Sequence, residues 1–208
     1  MIFLHQINGR MNGMENPLFL KRYFSNLKLM PGLFYSWKPA IRFELGNPNE
    51  HDNKKYIAGS IERALALYNA LHRPDDECII VMDVLEVDLK RKNLSPFLDR
   101  RQHFRISMDT YEMEEILIYR FEIACRAKEI AVSKILRAVI HSDLGVKPSI
   151  PHRVYILNKR TQTIFHVYDD RGCDVLGSNV EKLRPLYEQY NHWILDYDRE
   201  AITRMFEG

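Results

Sequence analysis

The sequence predicts an α+β fold, with a ferredoxin-like split β-α-β core that a C-terminal β-hairpin and two helices extend. Three observations lead to this prediction. Segments with the apolar alternation of strands and segments with helical apolar spacing follow each other in the order β-α-β, and this order occurs twice. The first strand of each unit carries an Arg-Phe-Glu run, at 42–44 and at 120–122. Apolar residues make up 46% of the chain, which is enough for a core, so we expect an ordered protein.

The first β-α-β unit follows an N-terminal helix. Apolar residues at helical spacing predict that helix over 15–30, before a Pro-Gly pair that breaks helices. Alternation predicts a strand over 40–46, a single apolar stripe predicts a helix over 53–72, and β-branched residues predict a strand over 77–88. Residues 89–113 are charged and lack periodicity, so we expect an irregular connection there.

The second unit repeats this order and leads into a C-terminal extension. The same patterns predict a strand over 115–125, a helix over 127–143 and a strand over 153–159. Two further short strands, over 163–169 and 173–177, can form consecutive hairpins.

Two helices are expected to close the chain. Ser178 and Glu181 have the spacing of a capping box, which predicts a helix running to about Tyr190. The last helix is predicted over 199–206, with Asp198 as its N-cap.

The chain is expected to form a single α+β domain over 15–208. Its core covers about 31–158, and the hairpin-helix extension covers 159–208. Residues 1–14 are interpreted as a loose N-terminal tail, and because Met11 and Met14 follow Met1, the true start codon stays open among these three.

Composition narrows the class of function and the cell compartment. The chain holds 30 basic and 28 acidic residues, a balance that argues against a dedicated electrostatic nucleic-acid binder. Its three cysteines are far apart and odd in number, so we expect no disulfide framework and a reducing, cytoplasmic location. No apolar run approaches the length of a membrane span, so we expect no membrane partner.

A charged turn in the stretch HVYDDRGCDV, residues 166–175, is the first candidate site. Asp169 and Gly172 suit the first and fourth positions of a type I turn with a bulge, where Asp accepts hydrogen bonds from the turn amides and Gly supplies a positive φ. Asp170 and Arg171 then occupy the central positions and project into solvent. The segment is therefore either only a turn or a recognition tip built from Asp169, Asp170 and Arg171.

A metal site in the same turn is an alternative interpretation. Asp169, Asp170, Asp174 and His166 lie close in sequence and carry suitable ligand atoms. Adjacent residues of an extended chain point to opposite faces, however, so the first two rarely bind one ion together. We therefore expect no metal and no cofactor.

The Arg-Phe-Glu runs supply the second candidate site. In a split β-α-β sheet their strands are central antiparallel neighbours, so Arg42 would face Glu122 and Glu44 would face Arg120. Opposite charges across strands stabilise a sheet by about 0.2–1 kcal/mol per pair. The four residues form either such an ion-pair ladder or a ligand-binding face.

The sequence lacks the common catalytic motifs but has two segments rich in basic residues. The chain has no nucleophile elbow, no paired metal-ligand histidines and no glycine-rich phosphate loop. Basic residues concentrate in 90–105, and bases alternate with aromatics in the first predicted helix. Either could contact RNA, although a solvated loop and an ordinary amphipathic helix explain them as well.

Part of the sequence resembles a known family. Residues 154–197 are similar to the bacterial domain of unknown function 3885, on the strength of Tyr168-Asp169-Asp170-Arg171-Gly172 with Asp174 and of Trp193 in the following segment. The resemblance implies no activity and no catalytic residue.

The expected function is that of a cytoplasmic, non-enzymatic binding module that recognises a protein partner. One alternative is a metal-dependent hydrolase or nuclease that uses Asp169, Asp170 and either Glu44 or Glu122. The second alternative is an RNA-binding module, whose affinity would fall steeply with salt.

Overall fold

A computed structural model describes residues 15–85 and 105–207 of the chain. The expected loose tail over 1–14, the end of the predicted strand at 86–88 and the connection over 89–104 lie outside the described residues.

Seven strands form one sheet in which every neighbouring pair is antiparallel. Their order across the sheet is β1-β7-β6-β5-β2-β4-β3. The strands are β1 (Ala40–Glu44), β2 (Glu77–Leu85), β3 (Arg105–Met113), β4 (Ile116–Arg126), β5 (Arg153–Asn158), β6 (Thr163–Val167) and β7 (Gly172–Gly177). The α+β class is thereby confirmed.

The predicted ferredoxin-like strand order is wrong. Strand β1 lies at one edge of the sheet beside β7, and four strands separate it from β4, so the Arg-Phe-Glu strands are not neighbours. Arg42 instead faces Asp174, and Arg120 faces Asp83. Alternation determines which face of a strand is buried, but the choice of neighbour depends on such pairings between distant residues.

Strand β3 was predicted as irregular chain. Three consecutive residues in its middle, Met108, Asp109 and Thr110, are exposed at the far edge of the sheet, so the buried-exposed alternation that identifies a strand is weak there. A two-residue turn joins β3 to β4, with Glu114 at φ 52° and Glu115 at φ 65°. Two successive positive φ angles are typical of the type I′ turns that match strand twist.

Six α-helices lie among the described residues. They are α1 (Glu15–Tyr23), α2 (Leu33–Ser36), α3 (Asn53–Leu71), α4 (Val132–Asp143), α5 (Arg184–Gln189) and α6 (Asp196–Glu207). Helix α3 begins at a cap, because the Asp52 side chain accepts hydrogen bonds from the amides of Lys54 and Lys55.

Four helix boundaries differ from the prediction. Helix α4 was predicted over 127–143 but begins at Val132, after a 3-10 turn at Ala127–Glu129. Helix α1 ends at Tyr23, because Ser25 and Asn26 adopt positive φ and leave the helical conformation. Asn179 rather than Ser178 caps the short 3-10 turn before α5. Helix α6 starts at Asp196, so Asp198 lies in its first turn and is not its N-cap.

The two faces of the sheet differ in chemistry. Helices α3 and α4 cover one face, where the Phe165 ring meets Tyr68 edge-on. The other face carries ionisable side chains, and α1 and α2 lie over it. We call this second surface the charged face; its members are Arg42, Asp83, Arg120, Glu122, His166 and Asp174.

Candidate functional site

A buried ion pair joins the edge strand β1 to β7. Arg42 Nε lies 2.8 Å from Asp174 Oδ1, and Arg42 Nη2 lies 3.1 Å from Asp174 Oδ2. The second oxygen also accepts a hydrogen bond from the Phe34 amide at 3.0 Å, which ties α2 to the pair. Such two-point contacts between Arg and a carboxylate fix geometry as well as adding energy, so Arg42 has one orientation.

Aromatic rings surround the Arg42 guanidinium. Its central carbon lies 4.7 Å from the ring centroid of Tyr35, 5.0 Å from that of Phe34 and 5.4 Å from that of Tyr168. Burial works against the charge of Arg42, but the hydrogen bonds and the charge of Asp174 outweigh it and raise the pKa of the guanidinium. The cation is therefore permanent and is held between an acid and three π-faces.

A second acid and a lysine lie beside the Arg42–Asp174 pair. Asp198 Oδ2 lies 3.7 Å from Arg42 Nη1, and Asp198 Oδ1 accepts a hydrogen bond from the Tyr35 hydroxyl at 3.4 Å. Lys38 Nζ lies 3.7 Å from the centroid of the Phe34 ring. Burial lowers the pKa of Lys38, although the nearby acids, led by Asp198, act in the opposite direction.

Two tyrosines whose rings contact Arg42 are exposed to solvent, and a third exposed tyrosine precedes Asp198 in sequence. Tyr35 is 62% exposed, Tyr168 is 37% exposed and Tyr197, which precedes Asp198 in the first turn of α6, is 86% exposed. We call Tyr35 and Tyr168, with the Arg42–Asp174 pair that their rings cover, the tyrosine platform. It joins residues of α2, β1, β7 and the β6–β7 turn, and Asp198 of α6 lies against it.

The β6–β7 turn supports the platform. As predicted, Asp169 stabilises this turn, because its Oδ1 accepts hydrogen bonds from the amides of Arg171 at 2.8 Å and Gly172 at 3.2 Å. The predicted positive φ at Gly172 is wrong. Gly172 is required for space, since a Cβ there would lie 2.1 Å from the Tyr168 hydroxyl oxygen and 2.9 Å from the Phe43 carbonyl oxygen.

The two central residues of the turn, Asp170 and Arg171, differ in their exposure to solvent. The expectation that Asp170 projects into solvent is wrong, because it is buried and its Oδ2 accepts a hydrogen bond from the Tyr56 hydroxyl at 2.8 Å. Burial and this bond together raise the pKa of Tyr56 to about 12. The Arg171 side chain is 74% exposed and pairs with Asp169, so it alone of these two remains available to a partner.

The predicted ladder residues on β4 have other partners. Arg120 binds Asp83 through two hydrogen bonds of 2.7 Å and also donates to the Leu29 carbonyl. Glu122 Oε2 accepts hydrogen bonds from the amides of Glu15, at 2.9 Å, and Asn16, at 3.2 Å. Burial raises the pKa of Glu122, and these bonds at the start of α1 oppose that effect.

The remaining ladder residue lies near the turn. Glu44 on β1 is the register partner of Gly172, and its carbonyl oxygen accepts a hydrogen bond from Arg63 at 3.1 Å. Neither predicted pairing, Arg42 with Glu122 or Glu44 with Arg120, is present, because β1 and β4 are far apart in the sheet.

The acids proposed for metal chemistry form no ligand group among the described residues, although Glu44 lies beside the turn that holds Asp169 and Asp170. Asp169 and Asp170 lie in the β6–β7 turn, whereas Glu122 lies on β4, with β6, β5 and β2 between β7 and β4. Over 15–85 and 105–207, no three His, Cys, Asp or Glu side chains form a group that could hold a metal ion. The helices within these same ranges include none that is long and apolar enough to cross a membrane.

Sequence reasoning missed several members of the platform. Asp174 offered a signal, because an acid flanked by the buried residues Cys173 and Val175 of a strand needs a partner. Tyr35 offered none, since an exposed residue leaves no periodic pattern in the sequence.

Together these features define an α+β protein with one antiparallel sheet and a tyrosine platform at its β1 edge. The chain belongs to the family described as Domain of unknown function (DUF3885), whose model matches residues 17–198. It is also similar to the Uncharacterized protein YnaE of Bacillus subtilis (strain 168), with 29% identity over 205 residues, which cover 86% of this chain and 96% of that protein. No solved structure matches the chain.

Proposed function

We propose that this chain is a non-enzymatic protein-binding module whose recognition surface is the tyrosine platform. The observation that carries the proposal is the exposure of two tyrosines whose rings contact one buried ion pair. Tyrosine is enriched at the residues that dominate protein interfaces, since it offers a large apolar body and a polar hydroxyl with few rotatable bonds. The partner is therefore expected to bury these rings.

The fixed geometry of the tyrosine platform supports the same proposal. Asp174 accepts three hydrogen bonds, and the Arg42 guanidinium that it holds contacts the rings of Tyr35 and Tyr168 from below. A surface that is ordered before binding loses less conformational entropy when the partner arrives. Arg171 is exposed in the adjacent turn, where Asp169 balances its charge and its remaining N–H groups can donate hydrogen bonds to the partner.

The enzyme and RNA alternatives have weaker support. Asp169 and Asp170 are engaged in hydrogen bonds that maintain the turn and bind Tyr56, so using them as metal ligands would break the local structure. Of the basic residues over 90–105 that suggested RNA, all but Arg105 lie outside the described part of the chain. A cytoplasmic location belongs to this proposal, supported by three free thiols, the state that a reducing compartment maintains.

A pull-down with matched variants tests the proposal. Tyr35→Ala, at the platform, and Tyr197→Ala, close to it in sequence, should both stay folded but lose most partner recovery from a native lysate. Tyr35→Ala should melt at a slightly lower temperature, because it loses its contacts with Arg42 and Asp198. The partner is identified by mass spectrometry and bound again in purified form. Ile116→Ala is the control, because Ile116 is 47% exposed near the opposite edge of the sheet and should bind normally. Equal recovery by all three variants would remove the platform from the functional account. Stabilisation by Mg²⁺ or Mn²⁺ would instead favour the hydrolase alternative.

A further inference from the structure

A groove lies between α3 and α4, on the face of the sheet opposite the tyrosine platform. Its volume is about 610 Å³, within the range of about 300–1,000 Å³ that is typical of small-molecule sites. Ile57, Ile61 and Leu65 line it from α3, and Val146 lines it just after α4. The three α3 residues recur every four positions, so they form one apolar stripe about 12 Å long. The groove therefore offers an elongated apolar surface.

Two polar side chains of α4 line the groove beside this stripe. Arg137 and His141 are four positions apart, so they are neighbours on one side of the helix. His141 Nδ1 lies 3.1 Å from the Pro148 carbonyl oxygen, which can only accept a hydrogen bond. In the neutral ring Nδ1 therefore carries the hydrogen, and Nε2 presents a lone pair that has no partner among the described residues. A guanidinium donor thus lies next to a nitrogen acceptor.

The charges that line the groove favour an anionic ligand. Lys54 and Arg137 face one acid, Glu62, and all three side chains are exposed. Within the described residues none of the three belongs to an ion pair, so both cations keep their donors available. Two positive charges against one negative charge, beside an apolar stripe, match a ligand with an acidic head and an apolar body.

We propose that this groove binds a medium-chain hydroxy acid. The alkyl chain lies along the apolar stripe of α3, the carboxylate accepts hydrogen bonds from Arg137, and a hydroxyl beside the carboxylate donates to His141 Nε2. Arginine holds a carboxylate through paired N–H donors, and removal of the alkyl chain from water supplies the main driving force. Each polar group of the ligand then has a partner, and these few polar contacts fix its orientation in the groove.

Calorimetric titration of the intact chain with 3-hydroxydecanoate, below its micellar concentration, tests the proposal. Decanoate should bind more weakly than the hydroxy acid, because His141 Nε2 loses its donor. Decanol should bind more weakly still, because Arg137 loses its carboxylate. Decanol binding as tightly as the hydroxy acid would overturn the proposal, and so would the absence of heat on titration of wild type with 3-hydroxydecanoate.

Matched variants locate the site. Ala58 lines the groove and is exposed, so Ala58→Phe should fill the space and abolish binding, whereas Ala70→Phe, exposed on α3 outside the groove, should bind normally. Arg137→Gln should weaken binding about tenfold or more, because the carboxylate loses a charged donor. Lys134→Gln, about one turn earlier on α4 and outside the groove, should bind like wild type.

Two outcomes decide between this site and the rest of the protein. Unchanged binding by Ala58→Phe or by Arg137→Gln, in proteins whose melting curves show a folded state, would overturn the proposal. Tyr35→Ala should bind 3-hydroxydecanoate normally, since the tyrosine platform lies on the other face of the sheet, so this site and the proposed function stand or fall separately.

Discussion

Replacing Asp174 by asparagine tests the ion pair on which the tyrosine platform rests. The carboxylate is 1% exposed and the Arg42 side chain 12%, so the substitution leaves a buried guanidinium without its acid. Removing one partner of a buried pair costs about 3–5 kcal/mol. We expect about 3 kcal/mol, at the low end of that range, because asparagine can still accept the Phe34 amide and because Asp198 stays 3.7 Å from Arg42.

Urea unfolding and calorimetry measure this loss. For a chain of this length, about 3 kcal/mol corresponds to a fall of roughly 6–12 °C in Tm. The double variant Arg42→Met with Asp174→Asn should recover part of the loss, which gives a positive coupling between the two sites. Asp75→Asn is the control, since it removes an ion pair with Lys128 at the surface and should leave the midpoint unchanged. A loss for Asp174→Asn below about 0.5 kcal/mol would refute the reasoning.

Two further predictions concern the turn and a buried acid. Gly172→Ala should destabilise by about 1–3 kcal/mol through overpacking against Tyr168 and the Phe43 carbonyl, and an unchanged urea midpoint would contradict the tight contact. Burial disfavours ionised Asp76, but hydrogen bonds, chiefly from Arg160, outweigh it and lower the pKa of Asp76 to about 2. The stability that Asp76 contributes should thus be complete above its unfolded value of 3.8 and be lost as the pH falls through about 2. The difference in urea midpoint between wild type and Asp76→Asn should shrink over that window, and a constant difference would argue against the assignment.

Individual elements could be predicted where a long pattern and a local signal agree. The helix predicted over 53–72 is observed as Asn53–Leu71, because one apolar stripe persists for five turns behind the Asp52 cap. The strand predicted over 153–159 is observed as Arg153–Asn158, and the hairpins that follow are also present. These elements depend on residues that are close together in the sequence.

Strand order could not be predicted in the same way. The repeated Arg-Phe-Glu run suggested neighbouring strands, but each arginine finds its acid on a different strand, Asp174 for Arg42 and Asp83 for Arg120. Many pairings satisfy the same alternation, and the free energy that separates them comes from contacts between distant residues.

The candidate site was predicted only in part. Asp169 was correctly assigned to the turn, because its hydrogen bonds are local. The burial of Asp170 depends on Tyr56, 114 positions away in α3, and no local pattern reports such a contact. The aromatic neighbours of Arg42 come from α2 and from the β6–β7 turn, so they become visible only when the sheet is assembled.

The pairing of β1 with β7 has a consequence for folding during synthesis. Arg42 and Asp174 are 132 positions apart, so β1 emerges from the ribosome long before the strand that completes its edge of the sheet. During that interval Ile41 and Phe43, both fully buried in the finished protein, have no β7 partner. Pairings of such long sequence separation form slowly and leave apolar strands open to aggregation. We therefore expect the nascent chain to depend on chaperones that hold exposed apolar segments until β7 has been synthesised.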